Sequence, residues 1–283
     1  MAIYKFGRFG VDSQIELDLS QASLLCVDAR VVIIANAEQA TLNSMKLVCE
    51  IDGIGLWWIS GDCALIFVQP FLNPGDVRIR DITCRVLARC LGSAHGIPVL
   101  HAAAVCRDGS ATVLIGRQGA GKSTLAWGLS KMGYQLLADD NVLLFDRGDQ
   151  IQTSRSTHAV RLTDHSLSML GLSAVWPRVS QKNLVVVNTA VSDDLVSVGA
   201  VVLLGGSRSA ACLAADLHAV IFEIVQSLWN WCYADGKIDQ EQLALIARLV
   251  RSTPVIGIDS RQPLAHTVEL IESLSREQVA ASC

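Results

Sequence analysis

Residues 116–123 read Gly116-Arg117-Gln118-Gly119-Ala120-Gly121-Lys122-Ser123. This order matches the phosphate-binding loop G-x-x-x-x-G-K-[ST]. In such a loop the backbone N–H groups point into one concavity, and glycines let a phosphate oxygen approach them closely. The stretch therefore predicts a site for ATP or another nucleoside triphosphate with Mg²⁺. The residues predicted to bind the nucleotide are Gly116, Gln118, Gly119, Ala120, Gly121, Lys122, Ser123 and Thr124.

The segments on either side of the loop have the patterns that this motif needs. Residues 111–115 form a short apolar run that is rich in β-branched side chains, as expected for a buried strand. Residues 122–132 contain no helix breaker except Gly128, and Gly133 is suited to end a helix. The sequence thus predicts a strand, a loop and a helix in that order.

The aspartates of the next strand are candidate metal ligands. Residues 135–138 predict a strand parallel to 111–115, and Asp139 and Asp140 follow it directly. Mg²⁺ prefers oxygen ligands, so Asp139, Asp140 and Ser123 are the predicted metal ligands. Neighbouring strand residues face opposite ways, which leaves the second carboxylate for proton transfer or loop support. A simple Asx turn or helix cap is the alternative role for this pair.

His101 lies on the strand that precedes the loop. An imidazole there would contact the γ-phosphate region or tune a carboxylate, and a hydrogen-bonded core histidine is the alternative. Residues 98–105 and 111–115 flank Arg107-Asp108-Gly109-Ser110, which is a strong hairpin signal. We therefore expect the phosphate loop to leave an antiparallel pair of strands.

The remaining patterns divide the chain into two predicted domains. Residues 1–75 predict a small β-rich domain, and residues 76–283 an α/β P-loop domain that begins with a linking helix over 76–93, capped by Asp76. The extended pieces predicted in the first domain are 14–18, 31–35, 45–50, 55–59 and 64–69. In the second domain we predict strands over 142–145, 198–204 and 254–258, helices over 213–231, 240–249 and 264–274, and loops over 146–178.

Composition excludes several classes of protein. The chain has 283 residues, of which 51% are hydrophobic, enough for a sizeable core without disulfides. The nine cysteines are irregularly spaced and include no C-x-x-C pair, so the sequence indicates neither a zinc site nor a disulfide framework. Cysteines of this kind favour a protein of the reducing cytoplasm. A net charge of −4 argues against general nucleic-acid binding. No apolar run is long enough to predict a membrane span.

Three landmarks together are more specific than the loop alone. They are Leu100-His101-Ala102-Ala103-Ala104-Val105, then Val113 to Leu125 through the loop, then Gly133-Tyr134-Gln135-Leu136-Leu137-Ala138-Asp139-Asp140-Asn141-Val142. In this order and spacing the chain resembles the C-terminal domain of HPr kinase/phosphorylase and its shorter relatives, a P-loop group akin to phosphoenolpyruvate carboxykinase. The resemblance extends through Arg161-Leu162 and Lys182 to near the C-terminus but does not include the predicted N-terminal domain.

The resemblance implies transfer of a phosphoryl group from a nucleotide to a serine hydroxyl on a protein or peptide. By position, Lys122 binds phosphates, Ser123 and an aspartate of the pair serve Mg²⁺, and His101 assists near the transferred group. The shorter relatives include kinases that act on ribosomally made precursor peptides, as in lasso-peptide pathways. Oligomerisation stays open.

One position departs from the family pattern. The family places an aspartate directly after the first loop glycine, as the base for the acceptor serine, and this chain has Arg117. Arginine does not take a proton at neutral pH, so a base must be Asp139, Asp140 or His101, while Arg117 would neutralise γ-phosphate charge. A further basic set is a candidate for phosphate or acidic-substrate contacts, or simply solvated surface: Arg155, Arg161, Arg178 and Lys182.

Three functions remain open at this point. The first is an ATP- and Mg²⁺-dependent serine kinase for a protein or peptide. The second is a kinase for a small hydroxylated metabolite. The third, suggested by Arg117, is a sensor or scaffold that binds ATP without chemistry.

Overall fold

The structure is a computed structural model of a mixed α/β protein. It describes residues 2–17, 19, 21, 27–34, 46–51, 54–59, 64–68, 73, 75–173, 175–187, 195–205, 217–229, 239–259 and 262–281. The helices described are α1 (Val77–Ala94), α2 (Lys122–Lys131), α3 (Asp164–Met169), α4 (Leu217–Gln226), α5 (Gln240–Ser252) and α6 (Leu264–Ala281). None of them is long and apolar enough to cross a bilayer.

The N-terminal strands form one six-stranded sheet. Its strands are β1 (Ala2–Phe6), β2 (Phe9–Ser13), β3 (Val27–Ile34), β4 (Lys46–Ile51), β5 (Ile54–Ile59) and β6 (Ala64–Val68), in the order β1-β2-β3-β6-β5-β4. The predicted β-rich start is confirmed, but the strand predicted over 14–18 is wrong. The first hairpin was missed, although the apolar residues Tyr4, Phe6, Phe9 and Val11 are buried on either side of a turn at Gly7, whose φ is 59°.

The phosphate-binding motif lies in a second, seven-stranded sheet. It contains β8 (Ala102–Arg107), β9 (Ser110–Gly116), β10 (Gln135–Asp139), β12 (Phe145–Arg147), β13 (Gln150–Thr153), β17 (Val196–Leu204) and β18 (Val255–Ile258). The strand order is β10-β8-β9-β17-β13-β12, with β18 paired to β17. The predicted α/β fold with strand, loop and helix at residues 110–131 is confirmed.

The hairpin before the loop forms as predicted. Strands β8 and β9 pair antiparallel with Arg107 opposite Ser110, and Asp108 and Gly109 both have positive φ, at 50° and 76°. This is the pattern of a two-residue hairpin turn. Strand β10 runs in the same direction as β9, as predicted, but it pairs antiparallel with β8, which lies between them.

Two small sheets complete the second half of the chain. One pairs β7 (Val99–Leu100) with β11 (Val142–Leu143), and the other joins β14 (Ala159–Leu162), β15 (Arg178–Val179) and β16 (Lys182–Val186) in the order β14-β16-β15. Much of 146–178, predicted to be loops, is therefore regular structure. Some of its polar residues are buried with hydrogen-bond partners, as when the Ser156 hydroxyl donates to Asn141 O at 2.8 Å.

Alternating residues of the central strands bury two faces of the seven-stranded sheet. Ala103, Val105 and Leu114 pack with α2 and α6 on one face, whereas alternate residues such as Ala104 and Val113 pack with α4 and α5 on the other. The helix predicted over 213–231 is observed as α4, which ends at Gln226, so the prediction is wrong over 227–229, and residues 213–216 and 230–231 lie outside the described part of the chain. The other two predicted C-terminal helices correspond to α5 and α6.

Helix α1 connects the two sheets. It begins after Asp76, whose side chain accepts a hydrogen bond from the Arg78 N–H, as the sequence predicted. One apolar cluster contains Phe6 and Val11 of the first sheet, Leu87 of α1, and Phe145 beyond it. The domain boundary predicted between residues 75 and 76 stays a prediction, because this apolar cluster contains residues from both sides of it.

A substitution at Gly92 tests how closely α1 packs against the segment that contains Ile97 and Val99. A Cβ at this position would meet the buried Val99 side chain and lie 3.0 Å from Ile97 O. We expect Gly92→Ala to destabilise the fold by about 1–3 kcal/mol through overpacking, despite the better helix propensity of alanine. Denaturant unfolding would measure this, with Ser93→Ala as the control in the same turn. A more stable Gly92→Ala protein would contradict the packing described here.

Candidate functional site

Glycine is required at two kinds of position in the 116–123 loop. At Gly116, where β9 ends, a Cβ would lie 2.7 Å from Leu204 O, so the backbone of β17 approaches too closely for a side chain. Gly119 and Gly121 have φ of 83° and 93°, a region that favours glycine. Gly121 is also the N-cap of α2, which directs the positive end of the helix at the loop.

Lys122 is folded over the loop that it follows. Its Nζ donates to Gly116 O at 2.7 Å and to Arg117 O at 3.3 Å, and the residue is buried. Burial lowers the pKa of Lys122, Asp140 and Asp139 counteract this, and Lys182 lowers it further. The ammonium therefore lies inside the loop, with a second cation nearby on the opposite wall.

The loop opens into a cleft of about 530 Å³. Its lining residues are Arg85, His101, Gln118 to Thr124, Asp139, Asp140, Arg161, Thr163, His165, Ser166 and Val179 to Lys182. Two predicted site residues, Gly116 and Arg117, line instead a neighbouring cavity of about 260 Å³, which shares His101, Gln118 and Ala120 with the cleft. The side chain of Arg117 is exposed.

Ser123 and Asp139 converge at the start of α2. The Ser123 hydroxyl donates to Asp139 Oδ1 at 2.6 Å, and Asp139 Oδ2 accepts the Arg161 backbone N–H at 2.9 Å. The described part of the chain has no group of three or more His, Cys, Asp or Glu that would hold a metal by itself. A hydroxyl and one carboxylate beside a phosphate loop nevertheless fit Mg²⁺, which keeps several waters and takes phosphate oxygens as ligands.

Asp140 is held in an unusual backbone conformation. Its φ is 117°, its N–H donates to Ala102 O at 2.7 Å, and its carbonyl accepts the Trp229 indole N–H at 2.9 Å. A non-glycine residue in this region costs about 1–3 kcal/mol and persists only where surrounding contacts fix it. With the backbone fixed in this way, the Asp140 carboxylate lies 3.2 Å from His101 Nε2.

The Asp140 carboxylate is surrounded by two arginines and a histidine. Arg89 donates to its Oδ2 at 3.0 Å, His101 Nε2 lies 3.2 Å from its Oδ1, and Arg85 lies 3.7 Å away. Burial alone would raise the pKa of Asp140, but the hydrogen bond from His101 and the charges of Arg85 and Arg89 hold it well below its usual range. Asp140 is therefore an ionised carboxylate that orients the His101 ring.

Helix α1 supplies charged residues that sequence reasoning missed. Asp81, Arg85 and Arg89 recur every four residues and so lie along one face of the helix. Arg85 Nε donates to Asp81 Oδ1 at 2.8 Å, its NH1 donates to Asp139 O, and its NH2 lies 3.5 Å from Asp139 Oδ2. The four-residue spacing was the available signal, but it is also typical of solvated helix faces.

Trp229 completes the enclosure of Asp140. The Arg89 guanidinium carbon lies 3.7 Å from the centre of the Trp229 ring, and the His101 ring centre lies 5.0 Å from it. Arg89 Nε also donates to the Asn141 side chain at 2.7 Å. No motif marks Trp229, because it reaches the site only through the three-dimensional placement of the turn after α4.

The four basic residues named from the sequence do not lie in one place. Arg161 and Lys182 line the cleft, and Arg155 does not. Arg178 is exposed and pairs with Asp164 at 2.6 Å. Only the first two are therefore placed to meet phosphate oxygens.

Comparison with known proteins supports one family resemblance. No model of a protein family matches the chain. A stretch of 75 residues is 36% identical to the HPr kinase/phosphorylase of Chlorobium phaeovibrioides (strain DSM 265 / 1930), covering 26% of this chain and 22% of that protein.

Among solved structures, the Hpr(Ser) kinase/phosphatase from Coxiella burnetii matches with 21% identity and a TM-score of 0.25, over 37% of this chain and 63% of that one. This chain thus spans less than a quarter of the length of its sequence relative. The resemblance predicted from the three sequence landmarks is confirmed, and over the matched 75 residues the chain is HPr-kinase-like.

Proposed function

We propose that this protein binds ATP with Mg²⁺ and transfers the γ-phosphoryl group to a serine hydroxyl of a protein or peptide. The observation that carries the proposal is one cleft that brings together the phosphate loop, the Ser123–Asp139 contact and the Asp140–His101 pair. The named relative is a kinase/phosphorylase, and its resemblance here supports phosphoryl transfer as the chemistry.

Each part of the cleft has a role in this proposal. Loop amides, the N-terminus of α2 and Lys122 bind the phosphates, since Nζ can exchange its two carbonyl acceptors for phosphate oxygens. Ser123 and Asp139 are the residues that would hold Mg²⁺, with Asp140 next to them. A bound Mg²⁺ would neutralise charge on the β- and γ-phosphates.

Asp140 and His101 are placed to handle the acceptor. In the transfer, the acceptor oxygen forms a bond to the γ-phosphorus, the bond to the β-phosphate oxygen breaks, and the hydroxyl proton leaves. The ionised Asp140 orients the hydroxyl and takes this proton, and His101 is hydrogen-bonded to the same carboxylate. Because the transition state is loose, a weakly basic carboxylate is adequate and positioning matters more than base strength.

A nucleotide sensor without chemistry is the second candidate. It is favoured by Arg117, which stands where the related kinases place an aspartate and which lies outside the main cleft. Transfer of radiolabelled phosphate from ATP, tested with a library of serine peptides and with a set of hydroxylated small metabolites, distinguishes these functions. Labelled peptide supports the kinase, label on a small metabolite supports the metabolite kinase, and binding with no transfer to either supports the sensor.

Nucleotide binding itself is tested by Lys122→Met. We expect affinity for a fluorescent, non-hydrolysable ATP analogue with Mg²⁺ to fall about 10- to 100-fold, because hydrogen bonds between charged groups contribute about 1.5–3 kcal/mol each. The control is Lys131→Met, at the other end of the same helix and exposed. Equal affinities for the wild type and Lys122→Met would contradict the proposed phosphate site.

A further inference from the structure

Asp81 is a buried carboxylate shared by two arginines. Its side chain is 0% exposed and lies in the second turn of α1. One oxygen, Oδ1, accepts from Arg85 Nε at 2.8 Å, and the other, Oδ2, accepts from Arg161 Nε at 2.9 Å and NH2 at 2.5 Å. Both arginines also line the phosphate cleft, so one residue outside the cleft contacts two cations that face it.

The contact with Arg161 fixes the direction of its guanidinium. Two N–H groups on one side of the group bind a single oxygen of Asp81, which limits rotation of the guanidinium plane. Among the described residues, none accepts a hydrogen bond from Arg161 NH1. Asp81 therefore holds the guanidinium through Nε and NH2, while NH1 stays available to an anion.

The electrostatics show that Asp81 remains charged. Burial would raise its pKa, but the charges of Arg85 and Arg161 and their hydrogen bonds lower it. Isolated burial of this carboxylate would cost several kcal/mol, and the two guanidiniums offset that cost. The Asp81 carboxylate thus lies as a negative charge between two guanidiniums, and Arg161 has no other acidic partner among the ion pairs of the described residues.

We propose that Asp81 is a positioning residue that aims the Arg161 guanidinium at the terminal phosphate of the bound nucleotide. The inference rests on the function proposed above. It is supported by Lys182, which lies on the strand paired with that of Arg161, lines the same cleft and is close enough to lower the pKa of Lys122, so these cations face the same space. Asp81 itself does not line the cleft and acts through Arg161.

The test is discrimination between a non-hydrolysable ATP analogue and ADP, both with Mg²⁺. If Asp81 aims Arg161 at the third phosphate, Asp81→Asn lowers the preference for the ATP analogue at least about 10-fold and changes ADP affinity less than about 3-fold. A merely structural role would weaken both nucleotides together. Asp76→Asn is the control on the same helix, because asparagine caps helices as well as aspartate does.

Two further variants keep the test decisive. Arg161→Gln should reproduce the loss of discrimination, and Asp81→Asn combined with Arg161→Gln should add nothing to it, since the two act through one contact. If Asp81→Asn does not fold, Arg161→Gln decides alone, and an unchanged preference in that variant overturns the inference.

The outcomes separate this inference from the proposed function. A wild-type protein that binds neither nucleotide overturns both. A wild type that prefers the ATP analogue, together with an unchanged preference in folded Asp81→Asn or with fully additive effects in the double variant, overturns this inference alone.

Discussion

Replacing Asp140 by asparagine should lower the rate of phosphoryl transfer by about 10²- to 10⁴-fold, the range expected when a positioned proton acceptor is lost. Asparagine has the same shape but cannot take the hydroxyl proton. It also lacks the negative charge that holds Arg89 and His101, at 3.0 Å and 3.2 Å, around the reacting group. Nucleotide affinity should change much less than the rate, because the phosphate loop is untouched.

The rate is measured by transfer of labelled phosphate to the best acceptor peptide at saturating ATP. Asp146→Asn is the matched control: this carboxylate is exposed, pairs with Arg248 at 2.6 Å and lies away from the cleft. It should leave the rate unchanged. An Asp140→Asn enzyme with wild-type turnover would remove Asp140 from the mechanism and leave Asp139 or His101 as the proton acceptor.

The second large effect is on stability. Arg85→Met should lower the free energy of unfolding by about 3–5 kcal/mol, because removing one partner of a buried ion pair leaves the other charge uncompensated. Arg85 is 3% exposed and lies between Asp81 and Asp139, both of which are also buried. Methionine fills much of the space but pairs with neither carboxylate. Denaturant unfolding followed by circular dichroism measures the change.

An exposed arginine gives the matched comparison. Arg178→Met breaks the ion pair with Asp164, in which both side chains are exposed to solvent. Exposed ion pairs contribute little to stability, so the unfolding midpoint should be close to that of the wild type. If Arg85→Met were as stable as Arg178→Met, the charges described around α1 would not be an essential part of the fold.

The sequence predicted the parts of the site that depend on local spacing. The phosphate loop, the hairpin at Asp108 and Gly109, and the strand that ends at Asp139 are all set by neighbouring residues, and they lie where the pattern indicated. The structure brings His101 and Asp140 to one cleft with the loop. Their roles remain proposals.

The sequence did not predict the contacts that depend on packing between distant segments. Asp81 meets Arg161, and Trp229 meets Asp140, only because separate elements of the chain converge. Asp81, Arg85 and Arg89 of helix α1 were not among the candidate site residues, because charges four residues apart are also typical of a solvated helix face. The first hairpin was missed because its alternation is interrupted by a glycine turn within a few residues.

Helix α1 has a practical consequence for anyone who shortens this protein. Its apolar side packs with Phe6 and Val11, while Arg85 and Arg89 on the same helix hold the two aspartates. An expression fragment that starts after Gly96 keeps the whole glycine-rich motif yet removes both guanidiniums. A shortened chain that keeps these contacts must therefore include helix α1, and gene trimming should stop short of the first sheet.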